Sequence, residues 1–236
     1  MKRGQEMIGI IAAMEEETRV LLAHMTDKKV EKVQHLEYIS GKVDGQEIVL
    51  SQSGIGKVNS ALATGFMINR YQPELVINTG SAGGLLPGLR VGDVLVADEL
   101  AYHDVDATAF GYVKGQVPQM PATYVSDENA VTGIMTAATA VGLTPHQGLI
   151  VSSDSFIAKK SEVDRIVNEF PSAGATEMEG ASIAQACHVM GVPFVVIRSI
   201  SDSADEEASV SFDEFIIEAG KKSAELVLAF VRHYKQ

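Results

Sequence analysis

TEMEGASIAQACHVMGVPFVVIRSISD, residues 176–202, holds the pattern that decides the fold. Its second half, residues 194–200, is nearly all apolar and rich in β-branched side chains, the composition of a strand buried on both faces. A turn at Gly191 separates it from an apolar helical segment that begins just after Glu179. Asp202 falls at the carboxyl end of the strand, the edge along which open α/β sheets bind ligands. A short acid just past a buried strand can keep a raised pKa, as proton donation near neutral pH requires. A turn residue or helix cap is the alternative reading of Asp202, and this stretch alone leaves both open.

Outward from this stretch the same unit recurs. Residues 7–13 form a short apolar run suited to a central strand, and Glu15, Glu16 and Glu17 follow at once on a helical pattern. Three acids in a first turn suit the helix dipole; the functional alternative is that one points back into a site. Residues 38–43 and 47–52 flank Asp44-Gly45-Gln46, a hairpin signal. A helix through about Arg70 and a buried strand over 75–79 come next. Gly/Ser-rich turns are expected at 53–57 and 80–84, where backbone N–H groups can approach an oxygen-rich ligand. Neither matches a Walker or dinucleotide fingerprint. A strand over 92–98, a helix over 128–141, a strand over 147–152, a polar helix over 161–170 and a last helix from Ser211, with Glu214 at capping-box spacing, complete the chain. Six or seven strands alternating with helices predict a single three-layer α/β/α domain over 1–236 with a central mixed twisted sheet.

Composition narrows the function. The net charge of −12 and the lack of Lys/Arg clusters argue against a nucleic-acid partner. One cysteine excludes an internal disulfide framework and fits a reducing compartment. Neither a signal-peptide pattern nor an apolar run of about 18 residues is found, so the expectation is a cytoplasmic protein without membrane contact. His103, Asp104 and Asp106 have the residue types of metal ligands but lack a partner cluster, which favours a hydrogen-bonded loop. The apolar loop over 110–124 is of the kind that covers a pocket or meets a partner chain. A serine-hydrolase elbow is absent, and Cys187 reads as helix packing. What remains is a set of carboxylates beside apolar strand ends, Glu17, Glu177, Glu179 and Asp202, suited to acid/base cleavage of a glycosidic bond.

Eight segments in register, AAMEEE (12–17), SGIGKVNSA (53–61), NTGSAGGL (78–85), YHDVDATAFGY (102–112), SSDSFI (152–157), EMEG (177–180), PFVVIRSISD (193–202) and SFDEF (211–215), resemble the 5′-methylthioadenosine/S-adenosylhomocysteine nucleosidase family. The resemblance implies a nucleoside phosphorylase-like fold. It also implies hydrolysis of methylthioadenosine, S-adenosylhomocysteine and 5′-deoxyadenosine to adenine and the free sugar, with no cofactor or metal. It implies that Asp202 protonates adenine N7, that Glu17 activates water and that Glu179 holds the ribose hydroxyls with Met178 against the sugar. Phe156 would stack on adenine, the Ile157 backbone would read its edge, and Ser201 would orient the acid. Ser81, Ala82 and Gly83 would form the sugar-side loop, and Met14, Ile55 and Phe212 the 5′-alkylthio pocket. Phe110, Tyr112 and Pro118 would reach that pocket from a second subunit, so a homodimer whose 105–124 loop completes the partner's site is expected. Gly180 and Thr176 depart from the family's usual alanine and apolar residue, which bears on 5′-substituent preference. The competing readings are a phosphorylase of the same fold, disfavoured by the acidic run 15–17, and a nucleoside-binding module without catalysis, which would not need Glu17 and Asp202 together.

Overall fold

The computed structural model describes residues 7–202 and 208–234, with the backbone alone over 208–214. Strand β1 (Ile8–Ala12) leads into helix α1 (Glu15–His24), and β2 (Thr26–Val33), β3 (Leu36–Val43) and β4 (Gln46–Gln52) follow as a meander. Next come α2 (Lys57–Tyr71), β5 (Leu75–Gly84), β6 (Val94–Tyr102), β7 (Tyr124–Val125) and α3 (Glu128–Ala140). The chain closes with β8 (Pro145–Ser152), α4 (Lys160–Glu169), β9 (Ala173–Glu177), α5 (Gly180–Met190), β10 (Phe194–Asp202) and α6 (Ala208–His233).

The described strands form one mixed ten-stranded sheet. Its open wing runs β5-β1-β4-β3-β2, and β1, buried throughout, lies between parallel β4 and β5 as its apolar composition predicts. The other half closes on itself: β5 pairs β10, β10 pairs β6, β6 pairs β8, β8 pairs β9, and β9 returns to β5 at Gly83 and Gly84. Register shifts in β6, β8 and β10 supply the bends that closure requires. β10 is buried at all nine positions and sits at the junction of the wing and the closed half.

Helices cover both faces. α1, α3 and α6 pack on one apolar cluster that includes Ile10, Ile77, Val195 and Val227. α2 and α5 pack on the other, with Met67, Ile183, Cys187 and Val196, so Cys187 is a core residue as read. A Cβ on Gly220 would lie 3.0 Å from the Glu16 carbonyl oxygen, so glycine lets α6 press against the start of α1. Among the described residues no helix is long and apolar enough to cross a membrane.

Three expectations need correction. The segment 80–84 is the last half of β5 rather than a turn, since its amides and carbonyls pair with β10 and β9. β2 and β9 raise the strand count above seven; β2 is an edge strand of mostly charged residues, which hides the alternation by which strands are read. The last helix begins at Ala208, so the Ser211/Glu214 spacing falls inside it; an S-x-x-E pattern marks a start only where the chain before it is not helical.

Candidate active site

The carboxyl ends of β1, β5 and β10 and the residues after β4, β8 and β9 converge on a cavity of about 340 Å³. Its walls are Ala13, Met14, Glu17, Ile55, Ser81, Ala82, Gly83, Ser155, Phe156, Ile157, Thr176, Glu177, Met178, Glu179, Ser201 and Asp202. Twelve of these are predicted site residues: Asp202, Glu17, Glu179, Met178, Phe156, Ile157, Ser201, Ser81, Ala82, Gly83, Met14 and Ile55. Phe110, Tyr112 and Pro118 are not among its walls, and Phe110 is 83% exposed. Phe212 lies outside the described side chains.

Glu17 is the one member of the acidic run that turns inward. Its Oε2 accepts hydrogen bonds from the Ala13 and Met14 amides at 2.9 and 3.0 Å, and its Oε1 accepts from the Ser81 amide at 3.2 Å. Glu15 instead pairs with Arg19 at the surface. Burial pushes the Glu17 carboxyl above its ordinary value, against the opposing pull of Arg198 and of those three amides.

Glu179 precedes α5, and its Oε1 accepts from the Gly56 amide at 2.9 Å. Burial, reinforced by the neighbouring Glu177, pushes its pKa up to about 8. Burial acts on Glu177 in the same sense, but Arg198 and the hydrogen bonds from Ser152, Arg198 and Gly180 reverse it and hold this carboxyl below its ordinary value. Asp202 ends β10 with its side chain buried, and Ser201 Oγ donates to its Oδ2 at 2.8 Å. Phe156, by contrast, is 46% exposed at the cavity wall.

Sequence reading missed Arg198. Its guanidinium, 1% exposed, forms an ion pair with Glu177, donates to Asn78 Oδ1 at 2.7 Å, and stands 3.6 Å from Glu179 Oε2. An arginine inside an otherwise apolar strand is itself a signal, because a buried cation needs a buried anion. Thr176 and Gly180 line or adjoin the same wall; a Cβ on Gly180 would lie 2.7 Å from Leu100 Cδ2, so alanine there requires Leu100 to move.

The three residues considered for a metal face different partners. His103 contacts Thr176 and Arg165, Asp104 binds Lys57 at 2.6 Å, and Asp106 binds Thr108 and Lys114. Among the described residues no group of three or more metal-ligating side chains is present. Asp104 belongs to a clamp instead: Lys57 Nζ bonds Asp104, the Lys57 amide donates to Asp154 Oδ1 at 2.8 Å, and the Asp154 amide donates to Asp104 at 3.3 Å. The clamp ties the segment carrying Ile55 to the segment carrying Phe156, across the cavity mouth.

The arrangement has the parts for acid/base cleavage: a buried acid with a fixed hydroxyl donor, a second carboxyl on backbone amides, a third beside it, and apolar walls. The phosphorylase superfamily matches residues 7–232. A 5′-methylthioadenosine/S-adenosylhomocysteine nucleosidase of Staphylococcus carnosus is 47% identical over 226 residues, covering 96% of this chain and 99% of the relative. The crystal structure of the nucleosidase of that name from Neisseria meningitidis, in complex with methylthio-immucillin-A, matches with TM-score 0.95 and 46% identity over 96% of this chain and 99% of that one. The S-adenosylhomocysteine nucleosidase of Streptococcus pyogenes, in complex with 5-methylthiotubericidin, matches with TM-score 0.96 and 43% identity over 100% of both chains.

Proposed function

The chain belongs to the phosphorylase superfamily and, within it, to the 5′-methylthioadenosine/S-adenosylhomocysteine nucleosidases, and from that premise we propose that it hydrolyses the N-glycosidic bond of both nucleosides to adenine and the free thioribose sugar, with 5′-deoxyadenosine as a further substrate. One observation carries this reading: Glu17 and Asp202, from opposite ends of the sequence, line the same cavity.

In this reading Asp202 gives its proton to adenine N7 as the C1′–N9 bond breaks, so that adenine leaves as a neutral base. Ser201 Oγ, donating to Asp202 Oδ2, holds the carboxyl in place. Glu17 takes a proton from the water that attacks C1′ from the other side of the sugar. Burial makes Glu17 a stronger base once ionised, and general acid–base help of this kind is worth about 10²–10⁴-fold. The cationic character that develops at the sugar is stabilised by Glu17 once it is ionised. Glu179 receives the ribose hydroxyls, Met178 lies against the ring, and Ser81, Ala82 and Gly83 flank it. Phe156 stacks on the base with the Ile157 backbone at its edge, and Met14, Ile55 and Phe212 take the 5′ substituent.

Assembly is part of the proposal. α2, α5 and the segment 105–117 border an apolar groove that includes Val58, Leu62, Val105, Val117, Val189 and Met190, and Val58 and Val189 are more than half exposed. A contiguous apolar surface of this kind supports an interface between two copies of the chain. Phe110, Tyr112 and Pro118, on the loop beside it, would then serve the partner's cavity. Sedimentation should give a dimer at assay concentration; a fully active monomer overturns this part.

Product analysis with methylthioadenosine in phosphate-free buffer tests the reaction. Adenine and methylthioribose are the expected products, and a sugar 1-phosphate formed only when phosphate is added overturns hydrolysis. Asp202→Asn should abolish adenine release while an unreactive substrate analogue still binds. Unchanged turnover would remove Asp202 from the acid's role.

A further inference from the structure

Glu177 and Arg198 are buried charges that the hydrolysis described above does not use. Their side chains are 2% and 1% exposed, and they form an ion pair through Arg198 Nη2. The same nitrogen donates to Asn78 Oδ1 at 2.7 Å, and Asn78 Nδ2 is in turn fixed on the Ile11 carbonyl at 2.9 Å. Glu177 is held from further directions by Ser152 Oγ and by the amides of Glu179 and Gly180 at 3.0 and 2.7 Å. Both partners are thus held from several sides.

The effect on the other two carboxyls is geometric. Glu179 Oε2 stands 3.6 Å from Arg198 Nη2, outside a good hydrogen bond. Glu17 takes its hydrogen bonds from three backbone amides. One guanidinium thus faces three glutamates and is committed to the one that has no role toward the nucleoside. We propose that Glu177 is a positioning residue for the hydrolysis: by drawing the Arg198 guanidinium onto itself, it holds that cation 3.6 Å from Glu179 and keeps it from a direct hydrogen bond to Glu179 or Glu17. The inference rests on the roles given to those two residues under the proposed function.

A full cation turned toward a carboxylate stabilises its charged form and makes it a weaker base, and the effect is large where water is excluded. The titration pattern agrees with the geometry: Glu177 is held low, Glu17 is raised and Glu179 is raised to about 8. The charged and titratable neighbours are few. Glu179 faces Glu177, Arg198 and Glu17, and Glu17 faces Arg198. Glu177 is also felt by Tyr102 at the end of β6 and by His103 just after it, and Asp202 shares the cavity wall.

Glu177→Gln tests this, because it keeps the shape of the side chain and removes its charge. With Arg198 left uncompensated, the acid limb of the pH profile of kcat/KM should move down by about one unit or more, and kcat on the plateau should fall about tenfold. A role in folding alone predicts a lower Tm and an equal loss of rate at every pH, with the limb unmoved; that result overturns the proposal. The double variant E177Q/R198M covers the case in which E177Q does not fold, since neutral replacement of a buried pair is often tolerated. It has no free cation, so its limb should lie at or above the wild-type position, and a limb shifted downward overturns the proposal. Absence of adenine release by the wild-type protein would count against the functional reading; wild-type release with an unmoved E177Q limb counts against Glu177 alone.

Discussion

Gly80→Ala is the sharpest single perturbation of the proposed water-activating residue. Gly80 lies in the second half of β5, opposite Arg198 of β10. A Cβ there would lie 2.8 Å from Glu17 Oε1 and 3.0 Å from Arg198 Nη1. Ordinary contact begins at 3.4 Å, so the carboxyl oxygen would have to retreat by about 0.6 Å. Its hydrogen bond to the Ser81 amide, 3.2 Å long at the outset, would then be lost. A hydrogen bond to a charged group is worth about 1.5–3 kcal/mol, or roughly 10–100-fold in rate if it positions the base in the transition state. Displacement of a reacting group by about 1 Å can alone cost about 10²-fold. The expected outcome is a fall of about 10²-fold in kcat/KM for adenine release from methylthioadenosine, carried mainly by kcat, with an unchanged far-UV spectrum. Gly148→Ala is the control: it also lies on a strand, and its nearest side-chain atom would be 4.0 Å away, so activity should stay within about twofold. G80A activity within about threefold of wild type would mean that Glu17 tolerates displacement, and the assignment of water activation to it would fail.

Two further outcomes follow from the same wall. Glu179 has a pKa raised from 4.5 to about 8 by burial, so between those values the folded protein holds a proton that the unfolded chain has lost. Its contribution to stability is complete below 4.5 and is lost as pH rises through about 8; the Tm of the ligand-free protein should therefore fall across that window, with Glu179→Gln flattening the dependence, and an identical slope in both proteins would refute the shift. Asp154→Asn should loosen the clamp on Lys57 and raise KM about tenfold with kcat nearly kept, because it frees the segments carrying Ile55 and Phe156 without touching the carboxyls; a kcat loss with KM unchanged would contradict this.

The parts legible in the sequence are those whose physics is local or repeated. β10 could be read because nine consecutive buried positions leave a composition that no surface element has. The hairpin of β3 and β4 was marked by Asp44-Gly45, which adopt the positive φ angles that a tight turn needs. The glycines of 80–84 misled for an instructive reason. Glycine in a strand is uncommon and usually signals a turn, but Gly80 is there for clearance, to let Glu17 and Arg198 come within reach of the backbone. That need is set by residues 63 and 118 positions away in the chain, and no local window contains it. β9 was invisible for a similar reason: five residues, two of them alanine and one glycine, become a strand only because β8 and β5 offer edges on both sides. Eight motifs in register pointed to twelve residues that line one cavity, yet Arg198 went unassigned although it lies inside one of those motifs. A buried charge reveals its role only once its partners are located.

Those partners also bear on the choice between water and phosphate. The sequence reading rested on three acids, Glu15 to Glu17, repelling an anion; the structure places only Glu17 at the cavity, with Glu15 turned to the surface. The electrostatic case is nevertheless stronger than a surface run would make it. Among the described residues four carboxyl groups line the cavity, Glu17, Glu177, Glu179 and Asp202, and no lysine, arginine or histidine is among its walls. Arg198 lies behind that wall, committed to Glu177 and Asn78, and Lys57 is committed to Asp104. A phosphate entering as nucleophile would give up its hydration for a cavity with no lysine or arginine in its wall among the described residues and at least one ionised carboxylate, since Glu177 stays charged well below neutral pH. Water carries no charge and meets no such penalty. In the proposed mechanism it also gains from Glu17 as a base, which an already anionic phosphate would not need. The carboxyl set that supports proton transfer is therefore the same set that selects the nucleophile.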